Sequence, residues 1–369
     1  MSTIFPIGLA LGEAFYDRVQ ERQTLQNHIQ HGIHTVLIAP RRFGKTSLIK
    51  KVLDDTETPH IWLDFMTLTS KTEAQARFLV HIGDLIVTIA KTEKQVKQWA
   101  KKYFALFKPE ISIGIPGFLK ITLKPEHIPH EGLATALLKL DQLAQDAGIR
   151  LAIICDEFQE IMQIDQDATL QASIRHAAER AQAITYLFSG SKHQPLRRLF
   201  NGKQNPLYQL CEQMTLERIA QADYVSYLTV EAKKKWKHPL SDTVLARIFF
   251  HTDYYPKYVN ALCAKLWFHT QAPTPEVVDA CWQSYIFARK ADIAEELNNL
   301  TLNQRKLFRY MTTHPTDTPF GHAFSSDVGL SVSTIQTALP VLLEKDLVVA
   351  LEGSYRVLDP TFKYYFQIF

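Results

Sequence analysis

Apolar and β-branched residues collect along the first 217 positions into short runs, separated by longer stretches with helical spacing. His34-Thr-Val-Leu-Ile38, Ile61-Trp-Leu-Asp-Phe65, Leu151-Ala-Ile-Ile-Cys-Asp156 and Ala183-Ile-Thr-Tyr-Leu-Phe-Ser189 have the character of buried strands. Between them, Thr46 to Leu53 sets Leu48, Ile49 and Val52 on one side of a helix. Thr72 to Thr88 does the same with Phe78, Leu79, Ile82, Leu85 and Ile86. Strands that alternate with helices in this way predict βαβ units and a parallel sheet. A polar helix beginning in Phe15 to Leu25 precedes the first strand, and Glu110–Ile115 with Phe118–Leu123 around Pro116-Gly117 predicts a hairpin.

Beyond Glu217 the β signals fade. Ala222 to Trp236 and Val259 to His269 read as helices, the second strongly apolar. The last seventy or so residues have their own logic. Leu302 to Met311, Ala323 to Val328 and Ser331 to Lys345 form a helical triplet, and Leu347–Leu351 with Tyr355–Leu358 form a hairpin wing. That order is a winged helix-turn-helix. Its third helix exposes Ser331, Ser333, Thr334 and Thr337 and has no arginine for guanine edges, so protein packing competes with DNA reading as its role. Pro340 is expected to interrupt that helix by removing a backbone donor. The expected division is an α/β core over 1–217, a helical segment over 218–296 and the winged helix over 297–369.

Composition changes this picture little. A chain of 369 residues with 46% hydrophobic and 21% charged residues is ordinary for a soluble protein of two or three domains. The net charge of +3 means that a nucleic-acid surface would have to be local. The four cysteines form no C-x-x-C pair, no segment approaches a membrane span and no basic leader opens the chain, so a cytoplasmic location is expected. Lys91, Lys94, Lys97 and Lys101 share one helical face, which reads as solvated. The Lys233 to Lys237 cluster around Trp236 reads as snorkelling lysines with nucleic acid as the alternative, and His127 and His130 read as a surface turn.

The chemistry is concentrated in Ala39-Pro-Arg-Arg-Phe-Gly-Lys-Thr46, which lies between the first strand and its helix. This is the P-loop pattern at every position but the first, where Ala39 replaces glycine. Backbone N–H groups at the helix start can hold phosphate oxygens, Gly44 permits the close approach, Lys45 reaches the β- and γ-phosphates and Thr46 offers a hydroxyl to Mg²⁺. Pro40, Arg41, Arg42, Phe43, Gly44, Lys45, Thr46 and Ser47 are therefore the candidate nucleotide-binding run. A second stretch ends its strand in Asp156-Glu157, and its two functions follow from position. Asp156 can hold Mg²⁺ while Glu157 polarises the water that attacks the γ-phosphate. Ser189 and Ser191 are either sensors of the γ-phosphate or caps of the next helix. Arg197 and Arg198 are either surface residues or arginine fingers toward a second copy, with Arg198 taken as the candidate. The turn before Val259, with Pro256 in it, is a candidate neighbour of the nucleotide base.

Taken together, Pro40-Arg-Arg-Phe-Gly-Lys-Thr46, Asp156-Glu-Phe-Gln159, Ser189-Gly-Ser191 and a terminal winged helix ending in Asp359-Pro-Thr-Phe362 resemble the archaeal-type P-loop ATPase family, related to AAA+ and STAND ATPases. The resemblance runs from Phe15 to Phe369. It implies an ASCE-like, five-stranded parallel core, a helical lid over 218–296 and a winged helix. It also implies ATP and ADP as ligands rather than GTP, Mg²⁺ at Thr46 and Asp156, hydrolysis with Glu157 activating water, and a lid and winged helix that respond to nucleotide state. The family's Gly-x-Pro lid turn keeps Pro256 but has Tyr254 in place of the glycine. Ala39 is the second departure, tolerated if its φ is negative. DNA through the winged helix, a protein partner and a homo-oligomer are the candidate partners beyond ATP.

Overall fold

The computed structural model describes residues 4–113, 119–123, 132–191, 193–351 and 353–369. The Pro116-Gly117 turn and the His127/His130 pair lie outside these. The chain divides into two compact units, Arg18–Glu217 and a second made of Met1–Asp17 with Arg218–Phe369.

The Arg18–Glu217 unit opens with α1 (Val19–His31), β1 (Thr35–Ile38), α2 (Lys45–Asp55) and β2 (His60–Asp64). It continues with α3 (Lys71–Ile89), α4 (Glu93–Phe104) and the hairpin strands β3 (Glu110–Ile113) and β4 (Leu119–Thr122). α5 (Gly132–Ala147), β5 (Leu151–Asp156), α6 (Ile161–Ile164), α7 (Thr169–Ala178), β6 (Ile184–Gly190), α8 (His193–Asn201) and β7 (Glu212–Thr215) complete it. Five strands form one parallel sheet in the order β2-β5-β6-β1-β7. Every residue of β1, β5 and β6 is buried, so these central strands are covered on both faces and read in sequence as unbroken apolar runs.

β7 is the exception. It is a polar edge strand, exposed at three of its four positions, and hydrophobic patterning gives no sign of it. The first helix also departs from expectation, because Phe15 is already buried and extended and helix begins only at Val19, after Arg18 in a left-handed conformation (φ 59°). The lysine face of α4 is solvated as read, with Lys97 paired to its exposed helix neighbour Glu93.

Strand order brings the carboxyl ends of β1, β5 and β6 side by side, the position where open α/β sheets hold ligands. The β-register pairs Ile38 with Gly190 and Asp64 with Asp156. Beneath this edge Phe158, fully buried, packs against Phe65 and Phe188 with ring centroids 5.0 and 4.7 Å away. That aromatic knot fixes the turn that follows β5.

In the second unit, α9 (Gln221–Trp236), α10 (Asp242–Thr252), α11 (Pro256–Leu266), α12 (Pro275–Ala288) and α13 (Lys290–Asn298) precede the triplet α14 (Leu302–Met311), α15 (His322–Val328) and α16 (Val332–Glu344). The wing is β8 (Val348–Leu351) and β9 (Ser354–Val357), antiparallel, followed by α17 (Pro360–Ile368). Leu307, Phe308, Ile335, Leu339, Leu342, Val348 and Phe362 form its core.

Contrary to the expected interruption, α16 runs straight through Pro340. Proline removes one donor from the ladder, but Ile335, Ala338, Leu339 and Leu342 are buried on either side of it and hold the helix. α17 was not anticipated from periodicity. Its start is nonetheless well specified, with the Asp359 side chain accepting from Thr361 N and Pro360 at the first helical position.

Candidate active site

The loop between β1 and α2 is built by backbone conformations that its residues must tolerate. Gly44, the residue before α2, has φ +87°, a region closed to most side chains, and supplies no side-chain cap to the helix start. Arg42 is also left-handed (φ 70°). Ala39 is not, so alanine meets the steric condition set for it, and it is fully buried at the end of β1. Phe43 is buried as well and anchors the loop.

The Arg18 side chain, itself buried, donates from one terminal nitrogen to the carbonyls of Phe43 (3.0 Å) and Glu217 (2.8 Å) and from the other to Glu21. It ties the loop to the last residue of the unit. Sequence reading missed this role, because an arginine in a polar helix start carries no sign of which carbonyls it will meet.

Lys45 is the first residue of α2. Its Nζ donates to the Ala39 carbonyl at 3.1 Å, so the ammonium lies back along the loop instead of pointing into water. Thr46, next to it, donates through Oγ1 to Asp156 Oδ2 at 3.2 Å. The other oxygen, Asp156 Oδ1, accepts from the Ser189 hydroxyl and from Glu157 N.

Glu157 leaves the strand in a left-handed conformation (φ 47°). Its Oε2 accepts from Ser191 Oγ (2.7 Å), Ser191 N (3.3 Å) and Gln159 Nε2 (2.6 Å). Arg41 Nε donates in turn to Ser191 Oγ at 3.4 Å. The structure thus brings Arg41, Lys45, Thr46, Asp156, Glu157, Ser189 and Ser191 together on one sheet edge. Both serine hydroxyls donate to the carboxylates.

Electrostatics distinguishes the acids. Burial works to raise the Glu157 pKa, but the Lys45 charge and the hydrogen bonds from Gln159 and Ser191 outweigh it and hold the carboxyl below its ordinary value. Asp64, at the end of β2 and paired in register with Asp156, moves the other way. Partial burial, then the charges of Asp156 and Glu157, raise it. Asp64 is a third carboxylate that sequence reading passed over, although it closes the run Ile61 to Phe65.

The other expected site residues lie elsewhere. Arg197 and Arg198 are exposed on α8. Pro256 belongs to the second unit, at the first position of α11. Tyr254 adopts the left-handed conformation (φ 56°) that a glycine would take without strain, its ring stacked on Phe249 at 4.8 Å.

Set against known structures, the chain superposes over 99% of its length on the whole of a Walker-type ATPase from Pyrococcus abyssi, with TM-score 0.70 and 16% identity. The chain has the fold of a Walker-type ATPase. A family described as "probable winged helix domain" matches residues 293–368. The ORC2 protein of Aeropyrum pernix, solved in ADPNP–ADP complexes, is similar in fold over 96% of both chains, with TM-score 0.50 and 14% identity. No curated protein sequence matches the chain. The resemblance to archaeal-type P-loop ATPases, and the fold class it implied, are thereby borne out. The Walker-type fold also accounts for the fifth strand, which the resemblance called for and the hydrophobic pattern did not locate.

Proposed function

We propose that this chain binds ATP at the β1–α2 loop and hydrolyses it to ADP. The observation that carries the reading is the hydrogen bond between Thr46 on the loop and Asp156 at the end of β5, with Glu157 beside it within the field of Lys45. The donor set suits a small hard cation, since Mg²⁺ takes one or two protein oxygens and completes its shell with phosphates and water. Bound by Thr46 and Asp156, it would neutralise charge on the β- and γ-phosphates.

The chain's own groups do the rest. Backbone N–H groups from Pro40 to Ser47, Pro40 excepted, cradle phosphate oxygens at the start of α2. Lys45 exchanges its Ala39 carbonyl for phosphate. Glu157, kept ionised by its donors, orients the attacking water and accepts its proton. Ser191, which accepts from Arg41 and donates to Glu157, is on this reading the sensor of the terminal phosphate, with Arg41 beside it.

The finer reading is a switch in which nucleotide state repositions the lid (218–296) and the winged helix (297–369) against the core (1–217), with Pro256 near the base and Arg198 acting on a second copy. A cytosolic setting fits the four free cysteines, and among the described residues no helix is long and apolar enough to cross a membrane. Lys45→Ala should abolish Mg·ATP binding in calorimetry, whereas Glu157→Gln should bind ATP and fail to hydrolyse it. Unchanged turnover in either protein would refute the assignment. Light scattering after size exclusion, with ADP and with a non-hydrolysable ATP analogue, reads the switch and the oligomer together.

A second reading, nucleotide-gated DNA binding with little hydrolysis, draws on the winged helix alone. The first turns of α16 and its cap leave Ser331, Ser333, Gln336 and Thr337 exposed, all uncharged, and the exposed charge of the helix is the acidic Glu344 at its end. Duplex affinity that falls steeply with salt would support this reading, and absence of binding at low salt would remove it in favour of a protein partner.

A further inference from the structure

We propose that Gln159 is a positioning residue for the hydrolysis proposed above, orienting the Glu157 carboxylate through its side-chain amide, with Gly190 kept bare to make room for it. The proposal rests on that hydrolytic reading and adds to it a residue that touches neither nucleotide nor cation.

The stretch Asp156-Glu-Phe-Gln159 stands out in the sequence as a unit, yet only its first two residues enter the chemistry above. After Glu157 the chain makes a short 3₁₀ turn, Phe158–Glu160. The turn drives Phe158 into the aromatic core and brings Gln159 back beneath the acid two residues before it. Gln159 is only 3% exposed, an unusual setting for a side chain with two donors and an acceptor.

Its Nε2 donates to Glu157 Oε2 at 2.6 Å, with a longer approach to Glu160 at 3.4 Å. Its Oε1 is buried with no hydrogen-bond partner. The amide cannot be turned round to relieve this, because its carbonyl would then face the carboxylate. Oε1 is instead directed at Gly190, where a Cβ would stand 2.1 Å from it.

A side chain retained purely for packing would not be a buried amide with an idle acceptor. A requirement for a donor at this point explains it. Gln159 approaches Glu157 from its own turn and Ser191 approaches from the end of β6, so the two donors converge on Oε2 from different elements. The carboxylate plane is thereby defined, and neither donor occupies Oε1, which is left to meet the attacking water.

Gln159→Met keeps the length and removes the donor. Its kcat should fall about tenfold or more while KM for Mg·ATP stays within about twofold, the mark of a transition-state contribution. Turnover is not the sole readout. A fluorescent ADP should bind the variant as it binds the parent protein, but the tightening that aluminium fluoride produces, as a mimic of the transferring phosphoryl group, should be lost.

Gly190→Ala, which displaces Gln159 from the other side, should reproduce both effects. Gln159→Asn keeps the amide but shortens its reach and should do the same, which covers the case of a poorly folded methionine variant. In a Glu157→Gln background Gln159→Met should add no further loss in single-turnover assays, because it acts only through that acid.

Parental kcat and aluminium fluoride response in Gln159→Met, beside an inactive Glu157→Gln, would overturn the proposal alone. An equal loss of plain ADP binding would also overturn it, by making the role structural. Continued hydrolysis by Glu157→Gln would overturn the hydrolytic reading and this proposal with it.

Discussion

Two polar constellations, one in each unit, are built on different terms. In the second unit His251 of α10 uses both ring nitrogens, Nδ1 with the Tyr364 hydroxyl of α17 (2.7 Å) and Nε2 with Asp279 of α12 (2.6 Å). Asp279 also takes a two-pronged contact from Arg247, and the His251 ring stacks on Trp282. Burial lowers the His251 pKa against the pull of Asp279, so the ring is neutral, Nε2–H donating to the carboxylate and Nδ1 accepting from Tyr364. His251, Tyr364, Asp279 and Arg247 all pair within that network, and the Trp282 indole contributes its ring face alone, its buried Nε1 having no hydrogen-bond partner.

The edge of the sheet in the other unit is unfinished by comparison. Glu157 has a left-handed backbone, Gln159 has an idle buried oxygen, and Asp64 is pushed up by partial burial and then by two neighbouring acids. A constellation whose charged and hydroxyl groups pair among themselves fastens helices together, whereas one with backbone strain and like charges left over is completed by what binds there.

Substitutions should separate the two. The largest effect is expected for Glu157→Gln, with hydrolysis reduced by roughly two to four orders of magnitude and Mg·ATP affinity retained. Arg18→Ala comes next. It strands the Phe43 and Glu217 carbonyls and should lower the stability of its unit by about 3 kcal/mol in denaturant unfolding, with a higher KM for ATP because the loop loses a support.

Tyr364→Phe removes one hydroxyl from the His251 network, should cost about 1 kcal/mol and should leave ATP turnover unchanged. A fall in turnover there would erase the contrast between the two constellations. The pH response of the same network has a definite sign. His251 has a lowered pKa in the folded protein, so its stabilising contribution is present above the unfolded value near 6.5 and is lost as pH falls through the folded value below it. Thermal melts taken stepwise from pH 7.5 to pH 5 should decline less in a His251→Gln protein. The smallest effect is expected for Lys97→Ala on the solvated face of α4, with an unchanged melting temperature.

The same contrast explains what sequence alone revealed. β1, β5 and β6 were legible because burial on both faces imposes uninterrupted apolar runs, and the loop and the Asp156-Glu157 pair were legible because phosphate and metal chemistry dictate local spacing. β7 was not, since an exposed edge strand needs only backbone pairing with β1. Arg18, Asp64 and Gln159 were not, because each acquires its role from a partner brought close by folding: Phe43 and Glu217 for Arg18, Asp156 for Asp64, and Gly190 with Glu157 for Gln159. α17 could have been found from Asp359-Pro360, a capping residue followed by the proline that suits a first helical position. Pro340 shows the opposite case, a local signal overruled by the burial of its neighbours.

The central claim is that Glu157 works on a nucleotide held by the loop beside it. Incubating Glu157→Gln with Mg·ATP, removing free nucleotide and identifying what stays bound tests it most directly. Recovery of ATP in near-stoichiometric amount is the predicted result. Recovery of ADP, or of no nucleotide at all, would contradict it.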